Sequence, residues 1–268
     1  MAVNIIGALK LDDKLHWKNS ANVLCNYMKK PEYLEIILKN QAIIPRYVIE
    51  PLEYLNIENL QKIAFPMTCF CDIPFSKVGS HMTLYGRYGI ALNKTQIIRK
   101  FKVQPIHYMN PQSPLSDDFR EAFTNYYRGK KQVHSEDKIL LNYILSTLLY
   151  MKPISWMEKI DGEMKSYIFQ DECEWRYIPT ANFPQSIPLL IKEDQITEKG
   201  KNAYSEVLTK HPETWIKFDW DDVKYIIVPD ESALKRIINV IKELQLDDTT
   251  MYLLISKIEI SNRFSEDL

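Results

Sequence analysis

The feature that most constrains this chain is residues 65–92, FPMTCFCDIPFSKVGSHMTLYGRYGIAL, where two short apolar runs enclose two cysteines, an acid, a histidine and a Tyr-Gly-Arg-Tyr-Gly turn. Residues 67–71 are apolar, rich in β-formers and closed by Asp72 and Pro74, which predicts a short buried strand. Pro74 suits a first helical position, so residues 76–83 carry a turn or short helix, and Gly86 and Gly89 bracket a bend into a second strand over 88–92. Such a unit sets Asp72, His81, Tyr85 and Arg87 near one sheet edge. Two readings fit the cluster: it is a site, or His81 satisfies a backbone carbonyl while the tyrosines fill core or rim and the glycines serve the turn.

Around this unit the hydrophobic periodicity switches between two and 3.6. Residues 22–28 predict a strand, and Pro31 opens an amphipathic helix with Leu34, Ile37 and Leu38 on one face. Residues 41–47 read as extended, and 52–63 carry helical spacing at Leu52, Leu55 and Leu60. Asn93 caps a helix to about Lys100; a strand at 104–109, a loop at 111–117 and helices at 118–127 and 136–151 follow. Lys152-Pro153 ends the last of these, and a polar turn at Asp161-Gly162 leads to the run 165–169. Beyond it lie strands at 174–178 and 187–191, a polar helix at 193–208 and a strongly apolar strand at 222–228. Asp230 caps a helix marked by Leu234, Ile237, Ile238, Ile241 and Leu244, Asp247-Asp248 ends it, and 251–260 reads as a last strand. Residues 1–20, with an apolar stretch at 3–11 and His16-Trp17, receive no assignment. With no repeat, low-complexity tract or linker, the expectation is one α+β domain over 1–268. Its central mixed, largely antiparallel sheet is flanked by helices and includes strands at 66–71, 87–92, 174–178 and 223–228.

Composition narrows the function classes. A formal charge of −1 supplies no basic field for nucleic acid, and 7 glycines leave no room for a long phosphate cradle. A chain of 268 residues buries enough surface, on the order of three quarters, to fold without disulfide or metal. No basic-then-apolar leader and no membrane-length apolar run occur, so a cytoplasmic protein without membrane contact is expected. Cys25, Cys69, Cys71 and Cys173 lack zinc-site spacing and are expected to be buried, reduced thiols; no metal is expected.

In strand 174–178, alternation puts Glu174, Arg176 and Ile178 on one face and Trp175 and Tyr177 on the other. A charged pair on an interior strand needs a partner or a task, because unpaired buried charge is costly. Structural pairing and catalysis fit equally well. Arg46 and Arg87 can bind phosphate or serve as ordinary ion pairs.

Taken together, PEYLEIILKNQAIIPRY, PMTCFCDIP, HMTLYGRYGIAL, Lys152-Pro153, DECEWRYIP and VKYIIV resemble the AbiGi-like abortive-infection proteins of bacterial phage defence, over about residues 20–230. The resemblance implies phage resistance, often as the antitoxin-like partner of a nucleotidyltransferase-like toxin, and so a protein partner: a toxin, an antitoxin or a phage component. A more distant similarity links the early strand and helix and the Glu172-x-Glu174 pair to ADP-ribosyltransferase-like proteins, including the DarT group. That similarity implies an ADP-ribosyltransferase-like fold and NAD as substrate. Glu174 would hold a nicotinamide-ribose hydroxyl as an oxocarbenium-like centre forms, and Glu172 would orient the acceptor. It also implies His81 and Tyr85 beside them, and Asn26, Tyr27, Arg46, Asp72, Arg87 and Arg176 lining the NAD cleft. The chain departs from the transferases at Asn26-Tyr27-Met28, where relatives carry a His-Phe-Thr type triplet.

Overall fold

The computed structural model describes residues 20–127, 138–160, 163–181 and 183–265. The readings for 3–11, His16-Trp17, the first residues of 136–151 and the Asp161-Gly162 turn lie outside them.

The sheet begins with β1 (Val23–Met28), after which Pro31, whose missing N–H is no loss at a helix start, opens α1 (Pro31–Asn40). Next come β2 (Ala42–Ile43), β3 (Arg46–Pro51), β4 (Lys62–Cys71), α2 (Gly79–Tyr85), β5 (Tyr88–Asn93) and α3 (Lys94–Phe101). The middle of the chain forms β6 (Gln104–Pro105), β7 (His107–Met109), α4 (Pro114–Tyr127), α5 (Lys138–Leu149), β8 (Met151–Pro153), and a hairpin of β9 (Ser155–Ile160) and β10 (Glu163–Ile168). The last part holds β11 (Glu174–Tyr177), β12 (Ile191–Lys192), α6 (Glu198–Leu208), β13 (Ile216–Lys217), β14 (Val223–Val228), α7 (Glu231–Glu243), α8 (Asp248–Ser256) and β15 (Ile258–Ile260).

The main sheet runs β15-β14-β5-β1-β4-β11-β6, with β3 and β12 also paired to β4. Its pairings are antiparallel except β14 with β15, so the sheet is mixed and largely antiparallel as expected. The strands expected at 66–71, 87–92, 174–178 and 223–228 all belong to it, as β4, β5, β11 and β14. Ten residues long, β4 carries β3 on its first part and β11 on its second.

Side-chain alternation divides the interior in two. Leu24, Met28, Phe70, Ile90, Leu92, Ile226 and Val228 face one way, against Leu34 and Leu38 of α1 and Ile237 and Ile241 of α7. On the other face Val23, Cys25, Cys71, Ala91 and Ile227 pack under Met82 of α2. Further along that face Phe65 and Met67 pack against Phe119, Phe123, Ile144 and Leu148 of α4 and α5. Each such side chain contributes about 1.5–3 kcal/mol on burial, which is what fixes the helices on the sheet. Between α2 and β5, Gly86 sits at φ 109, and a Cβ there would lie 2.2 Å from the Met28 carbonyl oxygen. Only glycine fits that turn.

Several expectations are corrected. Residues 251–260 are not one strand: Asp247 accepts a hydrogen bond from the Thr250 N–H and starts α8, leaving only Ile258–Ile260 extended. Residues 52–63 are not a helix. A single 3-10 turn, Glu53–Leu55, is broken by Asn56 at φ 49 and Asn59 at φ 53, and β4 already begins at Lys62. Extended structure in 187–191 is confined to its last residue, Ile191, which begins β12, and the polar helix begins only at Glu198, capped by Thr197. The expected sheet edge at Asp72, His81, Tyr85 and Arg87 is absent, because β1 lies between β4 and β5 and both are interior. Of the four cysteines, Cys25 and Cys71 are buried, Cys69 is half-buried and Cys173 is exposed. Among the described residues no helix is long and apolar enough to cross a membrane.

Candidate functional site

β11 brings Glu174 and Arg176 to the same face, as alternation requires, and both are buried. The Arg176 guanidinium, fully buried, donates from Nε to Glu174 Oε1 at 2.6 Å and from Nη2 to Glu50 Oε2 at 2.7 Å and Glu174 Oε2 at 3.3 Å. Its Nη1 donates to the Leu149 carbonyl at 2.9 Å. Beside it Lys152 Nζ donates to Glu172 Oε2 at 2.7 Å and Glu174 Oε2 at 3.1 Å, and lies 4.4 Å from the centre of the Phe169 ring. Three carboxyl groups thus face two cationic groups. Glu172, at one end of the network, also accepts from two phenols, Tyr85 and, at 2.9 Å, Tyr167.

Distant segments assemble this network. Glu50 reaches it because β3 and β11 both pair with β4, on successive parts of the strand. Lys152 arrives on β8, placed by its parallel pairing with β7, and Tyr108 of β7 accepts the Glu174 N–H at 2.8 Å. Glu172 and Phe169 sit on the 3-10 turn Phe169–Glu172 that links the β9/β10 hairpin to β11.

The electrostatics follow from burial and pairing. Burial works against ionisation of Glu174, but the charges of Arg176 and Lys152 outweigh it and hold the carboxyl down at about 2. Burial likewise disfavours the Lys152 ammonium, yet Glu174, Glu50 and Glu172 overcome that and push its pKa above the ordinary lysine range. Desolvation and then the Glu172 charge keep the Tyr85 hydroxyl protonated, as a donor must be, and push Tyr167 up to about 12.

Of the residues singled out from sequence, Glu172, Glu174, Arg176 and Tyr85 meet here. The His81 ring is tilted against Tyr85 with ring centres 4.5 Å apart, and Tyr27 meets His81 edge-on at 5.6 Å. The other four lie elsewhere. Asn26, adjacent to Tyr27 on β1 and so on the opposite face, donates to the Cys69 carbonyl at 2.8 Å. Arg46 is exposed and sits over the Tyr33 ring. Asp72 is buried against Lys94 and accepts the Ala21 N–H at 2.9 Å, and exposed Arg87 donates to Asn262. Sequence reasoning missed Glu50, Lys152, Tyr108 and Tyr167. For Glu50 a signal existed: alternation in RYVIEP puts it on the same face as Val48.

Clefts among the described residues lie apart from the network. One of about 540 Å³ is lined by Ala21, Pro74, Phe75 and Tyr225, and one of about 820 Å³ by Leu60, Phe123, Leu145 and Leu190. Among the described residues no group of three or more His, Cys, Asp or Glu side chains is placed to hold a metal.

Sheet and site together define an α+β protein whose paired acids are tied into a buried ion network instead of standing in an open cleft. A family model described as "Putative abortive phage resistance protein AbiGi, antitoxin" matches residues 41–229. The abortive phage resistance protein AbiGi of Lactococcus lactis subsp. cremoris is 33% identical over 248 residues, an alignment covering 84% of this chain and 99% of the relative. The chain belongs to the AbiGi family. No solved structure matches it.

Proposed function

We propose that this chain serves in phage defence, as the names of its family and relative indicate, and that it does so as an antitoxin-like protein that binds a protein partner. The observation that carries the non-catalytic half of this reading is the state of Glu174. Both of its oxygens are held by Arg176 and Lys152, and it is 7% exposed. A carboxylate that must hold a sugar hydroxyl in a transition state needs an open side and a free lone pair.

One observation favours the transferase reading. Tyr27, His81 and Tyr85 form a continuous aromatic row that ends on Glu172, and Tyr85 is 38% exposed, so a planar ring could stack there. In that reading Glu172, which accepts from the Tyr85 hydroxyl, is the acid that adjoins the row, and NAD is the substrate.

Expression of the chain alone and beside each neighbouring coding sequence, with growth and phage plating as readouts, tests the proposal. The antitoxin-like role predicts no toxicity alone and relief of a neighbour's toxicity. Purified chain incubated with NAD should leave it intact. Growth arrest by the chain alone, with NAD consumption that Glu172→Gln abolishes, would establish the enzyme instead.

A further inference from the structure

On the sheet face beneath α2, Cys25 of β1 and Cys71 of β4 are directly opposed partners in the antiparallel ladder. Opposed Cα atoms in such a ladder lie about 4.5–5.5 Å apart, inside the span of about 4.4–6.8 Å that a disulfide bridges. Both side chains belong to the same buried cluster. The His81 ring, half-buried on α2, lies against the Tyr27 ring of β1.

We propose that Cys25 and Cys71 are a peroxide-oxidised dithiol, a modification site that adjoins the ionic network, since Cys71 is the ladder partner of Glu174, and that does not rest on the antitoxin reading. Cys71 is the attacking sulfur. The neighbouring Cys25 thiol and then His81 favour its thiolate against the cost of burial, while the pairing with Cys71 and burial push Cys25 up. The Cys71 thiolate attacks one oxygen of hydrogen peroxide, the O–O bond breaks, and the departing hydroxide takes up the proton that Cys71 had released, giving water and a Cys71 sulfenic acid. Cys25 sulfur then attacks the Cys71 sulfur, the S–O bond breaks, and the Cys25 proton leaves with the hydroxyl as a second water. Two thiols lose two electrons, and one peroxide becomes two waters.

Access follows from the roof over the pair. α2 has seven residues, of which only Met82 is buried, so little apolar burial holds it, and local opening has chiefly the Tyr85–Glu172 hydrogen bond and the His81 ring contacts to break. Cys69, on the same strand, lacks these features: it points toward Glu174 and Arg176, and burial pushes its thiol up. Cys173 is exposed, and partial burial followed by the Asp72 charge raises it as well.

The test is full-length protein treated with about one equivalent of hydrogen peroxide, blocked with an alkylating reagent and mapped by mass spectrometry without reduction. Tryptic peptide 63–77 contains both Cys69 and Cys71, so fragmentation between them must assign the sulfur. The expected result is a Cys25–Cys71 link and loss of two of the four free thiols, unchanged in Cys173→Ser. In Cys25→Ser a Cys71 sulfenic acid should accumulate and be trapped by dimedone, and the wild-type map decides the matter should that variant not fold. A link to Cys69 or Cys173, or four alkylatable thiols after treatment, overturns the proposal.

Discussion

Glu174→Gln keeps the shape of the side chain and removes one buried charge, so it isolates the role of the carboxylate. In wild type that carboxylate answers Arg176 Nε at 2.6 Å and Lys152 Nζ at 3.1 Å; in the variant Arg176 retains Glu50 and the Leu149 carbonyl but loses its nearest counter-charge. Removing one partner of a buried pair costs about 3–5 kcal/mol, and since the amide oxygen still accepts a hydrogen bond, about 3 kcal/mol is expected. Proton linkage gives a second route to the same figure. Held at about 2 against an ordinary 4.5, the carboxyl contributes about 3 kcal/mol at about 1.4 kcal/mol per pH unit. Because the folded pKa is depressed, this contribution is full above about pH 4.5 and is lost as pH falls toward 2, where the unfolded and then the folded carboxyl take up protons. At pH 7 the variant should melt about 6–12 °C below wild type. Urea midpoints measured from pH 7 to 3 should show the gap narrowing only below about 4.5. A variant within 2 °C of wild type at pH 7, or a gap that does not change between pH 6 and 3, would refute the account of Glu174 as a structural ion.

Two further outcomes probe the scaffold. Gly86→Ala should destabilise by about 3 kcal/mol or more, seen as a lowered urea midpoint, because the added carbon meets the Met28 carbonyl in a backbone conformation that alanine rarely adopts. Asp230→Ala removes the oxygen that accepts the Ala233 N–H at 2.9 Å at the start of α7 and should cost about 1 kcal/mol, with Asp230→Asn recovering most of it in the same measurement.

The parts of the fold legible in the sequence were those decided by local pattern. Cys69, Phe70 and Cys71 alternate across a buried strand, and Ile237 and Ile241 recur along α7, so neither needed tertiary information. Local pattern failed where two periods fit the same residues. Met251, Leu254 and Ile255 read as extended, and Asp247, taken as the end of one helix, is the N-cap of the next. The site was half legible for a different reason. That Glu174 and Arg176 share a face is a period-two statement, but their other partners are Glu50, 126 residues from Arg176, and Lys152, which read as the end of a helix and as part of the AbiGi-like pattern, with no role in the site. Alternation can give the face Glu50 occupies, but which strand brings its partner is set by sheet order, which local pattern does not record.

The pairing of β11 with β4 sets Arg176 opposite Cys69 and Trp175 opposite Phe70. Sliding β11 by one position would turn Trp175 and Tyr177 into the ionic side and drive the guanidinium among Phe70 and Phe101, away from Glu50. An all-apolar strand of four residues could tolerate such a slip, trading one greasy contact for another. Here the mispaired form strands a buried charge, at a cost of several kcal/mol. Arg176 thus acts as a key cut for one lock position, and a sheet assembled from segments scattered over the whole chain closes in a single alignment.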